Sequence, residues 1–238
     1  MKLSIIIPVF NEEKTILQVL KRLNDVKIPG IVKEIIVVDD GSWDSTPEKI
    51  KSSKFFKKIK FAQHAINQGK GKALQTGIKE AKGDYIIIQD ADLEYNPNDI
   101  GRLILAINKD KKIEVVYGTR LNRPPNFSRD ERTLQFALHY MGNRFLSFLV
   151  SVLYGQWITD METCYKLFPK KALKNIRLNA KGFEFEPEIT SKLLKKGYKI
   201  KEIPISTNPR GYEEGKKLNT IKDGTLALWS IFKYRFFD

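Results

Sequence analysis

The chain has 238 residues, 42% of them apolar and 29% charged, with 15 Gly, 10 Pro and a single cysteine. That composition excludes a disordered, collagen-like or disulfide-stapled class, and the lone Cys164 points to a reducing compartment. Basic residues exceed acidic ones by 14, nearly all of it after residue 100, a field suited to phosphates, anionic lipid or nucleic acid.

Short apolar runs alternate with helical patterns through the first half. Residues 3–9 read as a buried strand, and a helix follows from about Glu12 to Asn24. A second strand covers 34–40, after which Thr46 as N-cap and Pro47 at the first helical position open another helix. A weaker strand at 59–63, a helix over 70–81 and a strand at 84–90 come next. Asn96-Pro97 starts a further helix, and 113–119 is the fifth strand. Such alternation predicts an α/β fold: a mostly parallel, Rossmann-like sheet with helices on both faces. Past residue 120 a loop rich in Asn, Pro and Arg precedes one long helix to about Tyr154. A strand at 164–168, a helix at 187–196, a strand at 198–205 and a terminal helix from about 220 form a C-terminal elaboration. One domain over 1–238 is the simplest organisation, with halves 1–120 and 121–238.

In parallel sheets ligands bind beyond the C-terminal strand ends, so the polar residues there carry the information. Asp90, Asp92 and Glu94 follow the fourth strand at spacing i, i+2, i+4. Three hard oxygen donors without His or Cys suit Mg²⁺ or Mn²⁺ rather than zinc. Asp39-Asp40 ends a neighbouring strand, and either carboxylate could accept hydrogen bonds from a ribose or a base. The glycine-rich segment 67–77 is neither GxGxxG nor GxxxxGK[ST], leaving a turn into a helix or a loop lining the crevice.

The longest later apolar stretch, 145–155, is about half the ~20 residues that cross a bilayer, and the N-terminus lacks a signal-peptide pattern. Arg132, Gln135, His139, Asn143, Ser147 and Ser151 form a narrow polar stripe on the long helix, the remainder being apolar. His139 on that stripe reads as an ordinary surface histidine. The terminal helix pairs Leu228, Trp229, Ile231, Phe232, Phe236 and Phe237 with Lys222, Lys233 and Arg235. Apolar faces flanked by basic residues suit an anionic membrane surface, and a core role is the alternative.

Taken together, IIIPVFNEE, IIVVDDGSWDST, NQGKGKALQTGIKEAKGDYIIIQDADLEYNP and VVYGTR resemble, in order, the signature of family 2 glycosyltransferases with the GT-A fold. TDMETCYKLFP, KGFEFEPEITSKLLKKGYKIKEIPI and YEEGKKLNTIKDG are similar to the branch that glycosylates dolichyl or other polyprenyl phosphates. The resemblance implies a nucleotide-sugar and metal-binding half over 1–120 and an acceptor-binding, membrane-proximal half over 121–238. It implies that Pro8, Phe10, Glu12, Asp39, Asp40, Asp90 and Ala91 bind the donor. Asp90, Asp92 and Glu94 would hold Mg²⁺ or Mn²⁺ and the diphosphate. Mannosyl members often carry Gln at the position of Glu94.

The expected activity is inverting transfer of a sugar from GDP-mannose or a UDP-hexose to a polyprenyl phosphate. Such an enzyme is expected to be cytoplasmic and peripheral on the cytoplasmic membrane face. Asp92, Arg120 and Asp160 are the candidate catalytic residues, and Arg120 and Arg132 are candidates for gripping the acceptor phosphate bidentately. A hydroxyl acceptor on a glycan or protein would instead need a general base, for which Asp160 or Glu162 could serve. A nucleic-acid-binding module is disfavoured because clustered crevice carboxylates would repel a phosphate backbone. A catalytically dead nucleotide-sugar sensor fits poorly with the intact acidic motifs.

Overall fold

The computed structural model describes residues 1–110, 112–121, 134–208 and 220–237. Seven strands form one sheet: β1 (Lys2–Val9), β2 (Val32–Asp39), β3 (Ile59–Gln63), β4 (Tyr85–Ile88), β5 (Val115–Thr119), β6 (Lys166–Pro169) and β7 (Ile200–Pro204). Their spatial order is β3-β2-β1-β4-β6-β5-β7. All neighbours are parallel except β6, which runs antiparallel to both β4 and β5. The central strands bury both faces, which is why Leu3, Ile5, Ile6 and Ile7, interrupted by the buried Ser4, and Ile86, Ile87 and Ile88 read as near-continuous apolar runs.

Register positions the site. Val9 pairs with Asp39, so β1 and β2 end level, whereas β4 stops at Ile88 opposite Ile6. The sheet edge is therefore notched above β4. Because β6 is reversed, its first residues lie at that same edge, and Leu167 pairs with Ile87.

Helices α1 (Ile16–Asp25), α2 (Thr46–Ser52), α3 (Lys70–Glu80) and α4 (Asp99–Lys109) connect the first five strands. In α1 the buried residues Ile16, Val19, Leu20 and Leu23 recur at helical spacing and face the core. Helix α5 (Leu134–Tyr154) precedes β6, α6 (Phe185–Lys195) lies between β6 and β7, and α7 (Thr220–Phe236) closes the order.

Among the described residues, the polar stripe of α5 faces inward. Asn143, Ser147 and Ser151 are buried, while Leu138, Met141, Phe145, Phe148 and Val152 are exposed. The cause lies in the loop 158–161 beneath the helix, whose peptide groups have no sheet partner. Ser151 Oγ accepts the Ile158 N–H at 2.9 Å, Ser147 Oγ accepts the Met161 N–H at 2.9 Å, and Asn143 Nδ2 donates to Asp160 Oδ1 at 3.0 Å. Buried peptide donors need partners, so the hydroxyls are drawn inward and the apolar face is left in solvent. In α7, Ala227, Ile231 and Tyr234 are buried, whereas Trp229, Phe236 and Phe237 are exposed. The Tyr154 hydroxyl of α5 donates to the Ile231 carbonyl of α7 at 3.4 Å. No described helix is long and apolar enough to cross a membrane.

Candidate active site

A crevice of roughly 390 Å³ opens above the notch in the sheet edge. Pro8, Phe10, Glu12 and Asp40 line it from the β1 and β2 ends; Asp90, Ala91, Asp92 and Glu94 line it from the segment after β4. Arg120, just past β5, also faces it. These are the candidate residues expected from the strand ends, and the fold brings them together. Asp39 is fully buried behind the crevice, Asp160 is buried under Arg120, and Arg132 lies outside the described residues.

Adjacent carboxylates at the end of β2 have different surroundings. Asp40 is saturated: its Oδ2 accepts the Gly69 N–H at 2.7 Å and its Oδ1 accepts the Gln68 N–H at 3.1 Å. His64 joins Asp40 Oδ1 through Nδ1 at 2.6 Å and Thr76 Oγ1 through Nε2 at 2.9 Å. Asp40 thus anchors the glycine-rich loop. Asp39 accepts the Ser42 hydroxyl on Oδ1, while its buried Oδ2 has no hydrogen-bond partner. Burial pushes the Asp39 carboxyl above its ordinary range.

The glycine-rich loop both starts α3 and lines the crevice, through Asn67, Gly69 and Lys70. Gly69 has φ +98°, and a Cβ there would lie 2.3 Å from the Lys181 carbonyl oxygen. At Gly71 a Cβ would lie 2.4 Å from the Ala180 carbonyl oxygen. Only hydrogen side chains let this loop press against the 180–182 backbone.

Beyond Ile88 the strand does not persist. The chain turns, with Leu93 at φ +67° and the Glu94 N–H donating to Asp92 Oδ1 at 3.1 Å. Asp90 meets Lys70 Nζ at 2.8 Å. Burial opposes the charge on both groups, but their mutual attraction wins, lowering the Asp90 pKa and raising that of Lys70. Among the described residues, no three acidic, His or Cys groups form a metal cage by themselves. The donor set still fits a hard cation, because Mg²⁺ commonly takes only one or two protein carboxylates and completes its shell with phosphate and water.

Arg120 and Asp160 form a bidentate pair. Nε donates to Oδ2 and Nη2 to Oδ1, each at 2.8 Å, and the Arg120 N–H adds a third bond to Oδ2 at 2.9 Å. Asn143 also donates to Asp160. Burial would raise the Asp160 pKa, but Arg120 outweighs it and holds the carboxylate ionised. As a base, Asp160 would first have to leave this pair.

Several crevice residues were not among the candidates: Lys70, His139, Phe183 and Glu186. Glu162, named only as an alternative base, lines it too. His139, expected on the surface, is half-buried at the crevice wall. Position relative to a strand end marks neither Lys70 nor Glu186, since both sit in the first turns of helices.

The glycosyl transferase family 2 profile matches residues 4–177. A UDP-N-acetylglucosamine–dolichyl-phosphate N-acetylglucosaminyltransferase of Methanococcus voltae is 32% identical, covering 91% of this chain and 90% of its own. A dolichol-phosphate mannosyltransferase of Pyrococcus furiosus is 30% identical over 98% of this chain and 64% of that one. In fold, the chain is similar to glucosyl-3-phosphoglycerate synthase of Mycobacterium tuberculosis, solved with Mn²⁺, UDP and phosphoglyceric acid. That likeness has a TM-score of 0.71 at 16% identity and covers 100% of this chain and 79% of the other. With the acidic strand ends gathered in a GT-A-like crevice and the profile spanning most of the chain, the protein belongs to glycosyl transferase family 2 and is a glycosyltransferase.

Proposed function

We propose that this glycosyltransferase moves a sugar, with inversion, from GDP-mannose or a UDP-hexose to a polyprenyl or dolichyl phosphate at a membrane surface. One observation carries the reading: α5 joins the crevice to a lipid-compatible surface. His139 of that helix lines the crevice, while Leu138, Met141 and Phe145 of the same turns face solvent. Large apolar side chains in rows beside basic residues are suited to the headgroup boundary of an anionic membrane. Both dolichyl-phosphate transferases named above match at least nine-tenths of the chain.

In this reading Pro8, Phe10 and Glu12 flank the nucleoside, and the buried Asp39 stands behind them as the donor-site carboxylate that would have to be uncovered to reach it. Asp40 acts indirectly, by fixing the glycine-rich loop. Asp90, Ala91, Asp92 and Glu94 face the diphosphate, and the carboxylates would hold Mg²⁺ or Mn²⁺. Such a cation supplies charge neutralisation for the leaving nucleoside diphosphate. Arg120 orients the acceptor phosphate, and Asp160 with Asn143 holds the guanidinium at a fixed angle. A phosphate monoester has a second pKa of about 6 and is already largely ionised at neutral pH, so no base is required. Arg132 is the second candidate for the acceptor phosphate.

Incubation with radiolabelled nucleotide sugar and polyprenyl phosphate should yield a lipid-extractable product labile to mild acid. Arg120→Ala should lower transfer more than Asp160→Asn. A product that stays in water, or loss of activity in Asp160→Asn with Arg120→Ala fully active, would overturn the phosphate-acceptor reading.

A further inference from the structure

Followed along the sheet edge, the crevice passes from the β1 and β2 ends, past the segment after β4, to the start of β6. A donor with its nucleoside at the first and its diphosphate at the second would project its sugar toward the third. Lys70, Glu162, Phe183 and Glu186 form that wall. Glu162 comes from the loop before β6, and Glu186 from the first turn of α6.

The wall has an excess of buried acceptors. Glu186 is 3% exposed, yet neither carboxylate oxygen receives a hydrogen bond. Lys166 Nζ approaches Oε2 to 2.7 Å, but outside hydrogen-bonding geometry, and it donates instead to the Met161 and Thr163 carbonyls. Lys70 Nζ stands 3.5 Å from Oε1 and nearer to Asp90. Glu162 Oε1 is likewise buried and without a hydrogen-bond partner. Glu186 is thus ion-paired but receives no hydrogen bond, and Glu162 Oε1 receives none either, in a crevice already framed for a nucleotide sugar; buried acceptors are costly to leave unmet. Sugar hydroxyls are donors of the right kind. A uronate would bring a third carboxylate against two.

We infer that Glu162 and Glu186 form the subsite that reads the hydroxyls of the transferred sugar, and that this wall admits a neutral hexose and excludes a uronic acid. The inference rests on the donor half of the proposed function and not on the lipid acceptor. Burial and the neighbouring Glu186 raise the Glu162 pKa to about 7 against the pull of Lys166.

The test is calorimetric titration in Mg²⁺ without acceptor, so a wrong acceptor assignment leaves it untouched. Wild type, Glu186→Gln and Glu162→Gln are titrated with UDP, GDP, UDP-glucose, UDP-N-acetylglucosamine and GDP-mannose. The uronate of whichever nucleotide binds, UDP-glucuronate or GDP-mannuronate, completes the panel. Each variant should lose about tenfold in affinity for the preferred nucleotide sugar, a lost charged hydrogen bond, while free nucleoside diphosphate stays within about twofold. Wild type should bind the uronate about tenfold more weakly than the neutral sugar, and Glu186→Gln should narrow that gap. Unchanged ratios of nucleotide sugar to nucleoside diphosphate in both variants would overturn the subsite, as would a uronate bound as tightly as the neutral sugar. If Glu186→Gln does not fold, Glu162→Gln alone carries the comparison, since its side chain is only partly buried.

Discussion

Glu162→Gln should stabilise the free protein at alkaline pH and do little at acid pH. Burial lifts this carboxyl from 4.5 to about 7; Glu186 and Asp160 add to the shift, and Lys166 and Arg120 oppose it. In the unfolded chain the group ionises near its ordinary value. Between about 4.5 and 7 the folded protein therefore holds a proton that the unfolded chain has released, so stability falls as pH rises through that window. The penalty is absent below the window and complete above it. Integrated between pH 5 and pH 8, the shift is worth about 2–3 kcal/mol at most. For a chain of this length that is roughly 5–10 °C in Tm. Thermal melts of wild type and variant, without ligand, at both pH values measure it directly. The Tm gain of Glu162→Gln over wild type should be larger at pH 8 by that amount. Other titrating groups are common to both proteins and cancel in the difference. An equal gain at the two pH values would refute the reasoning and place Glu162 in contact with water.

Asp92→Asn should lower transfer by about 10²–10³ with Tm unchanged, the usual loss for one electrostatic element, and turnover within about threefold of wild type would contradict its role. Sedimentation with anionic vesicles should show binding that weakens as salt shortens the Debye length from about 10 Å at 0.1 M to 3 Å at 1 M. Replacing Phe145, Phe148 and Trp229 with Ser should reduce that binding without lowering Tm, because these side chains are 58%, 53% and 60% exposed. Gly71→Ala should destabilise by about 1–3 kcal/mol in urea titration, since its Cβ would meet the Ala180 carbonyl; unchanged stability would mean that the two loops separate freely.

Much of this site was legible along the chain, and the reason is local. Strands β1, β2, β4 and β5 are marked by apolar runs that only a doubly covered sheet can bury, and the acidic residues follow directly from where those runs stop. Asp39, Asp40, Asp90, Asp92 and Arg120 are in this sense one-dimensional features. The amphipathic division of α5 is equally visible, because helical spacing sorts Asn143, Ser147 and Ser151 onto one side.

What the spacing could not supply is what each side meets. Periodicity separates two faces of a helix but does not name the one in water. For α5 that was decided by the peptide N–H groups of Ile158 and Met161, which took the serine hydroxyls and turned Phe145 and Phe148 outward. Asp39 and Asp40 are neighbours of the same type, yet His64, Gln68 and Gly69, from the segment between β3 and α3, saturate one and leave the other with an oxygen that receives no hydrogen bond. Lys70, Glu162 and Glu186 share a wall only because β6 enters the sheet reversed between β4 and β5, carrying its preceding loop to the edge where α3 and α6 begin. Apolar burial follows from residue type at a given spacing, and so it is written along the chain. The partner of a buried polar group comes from a distant segment, and only the folded packing brings it within reach.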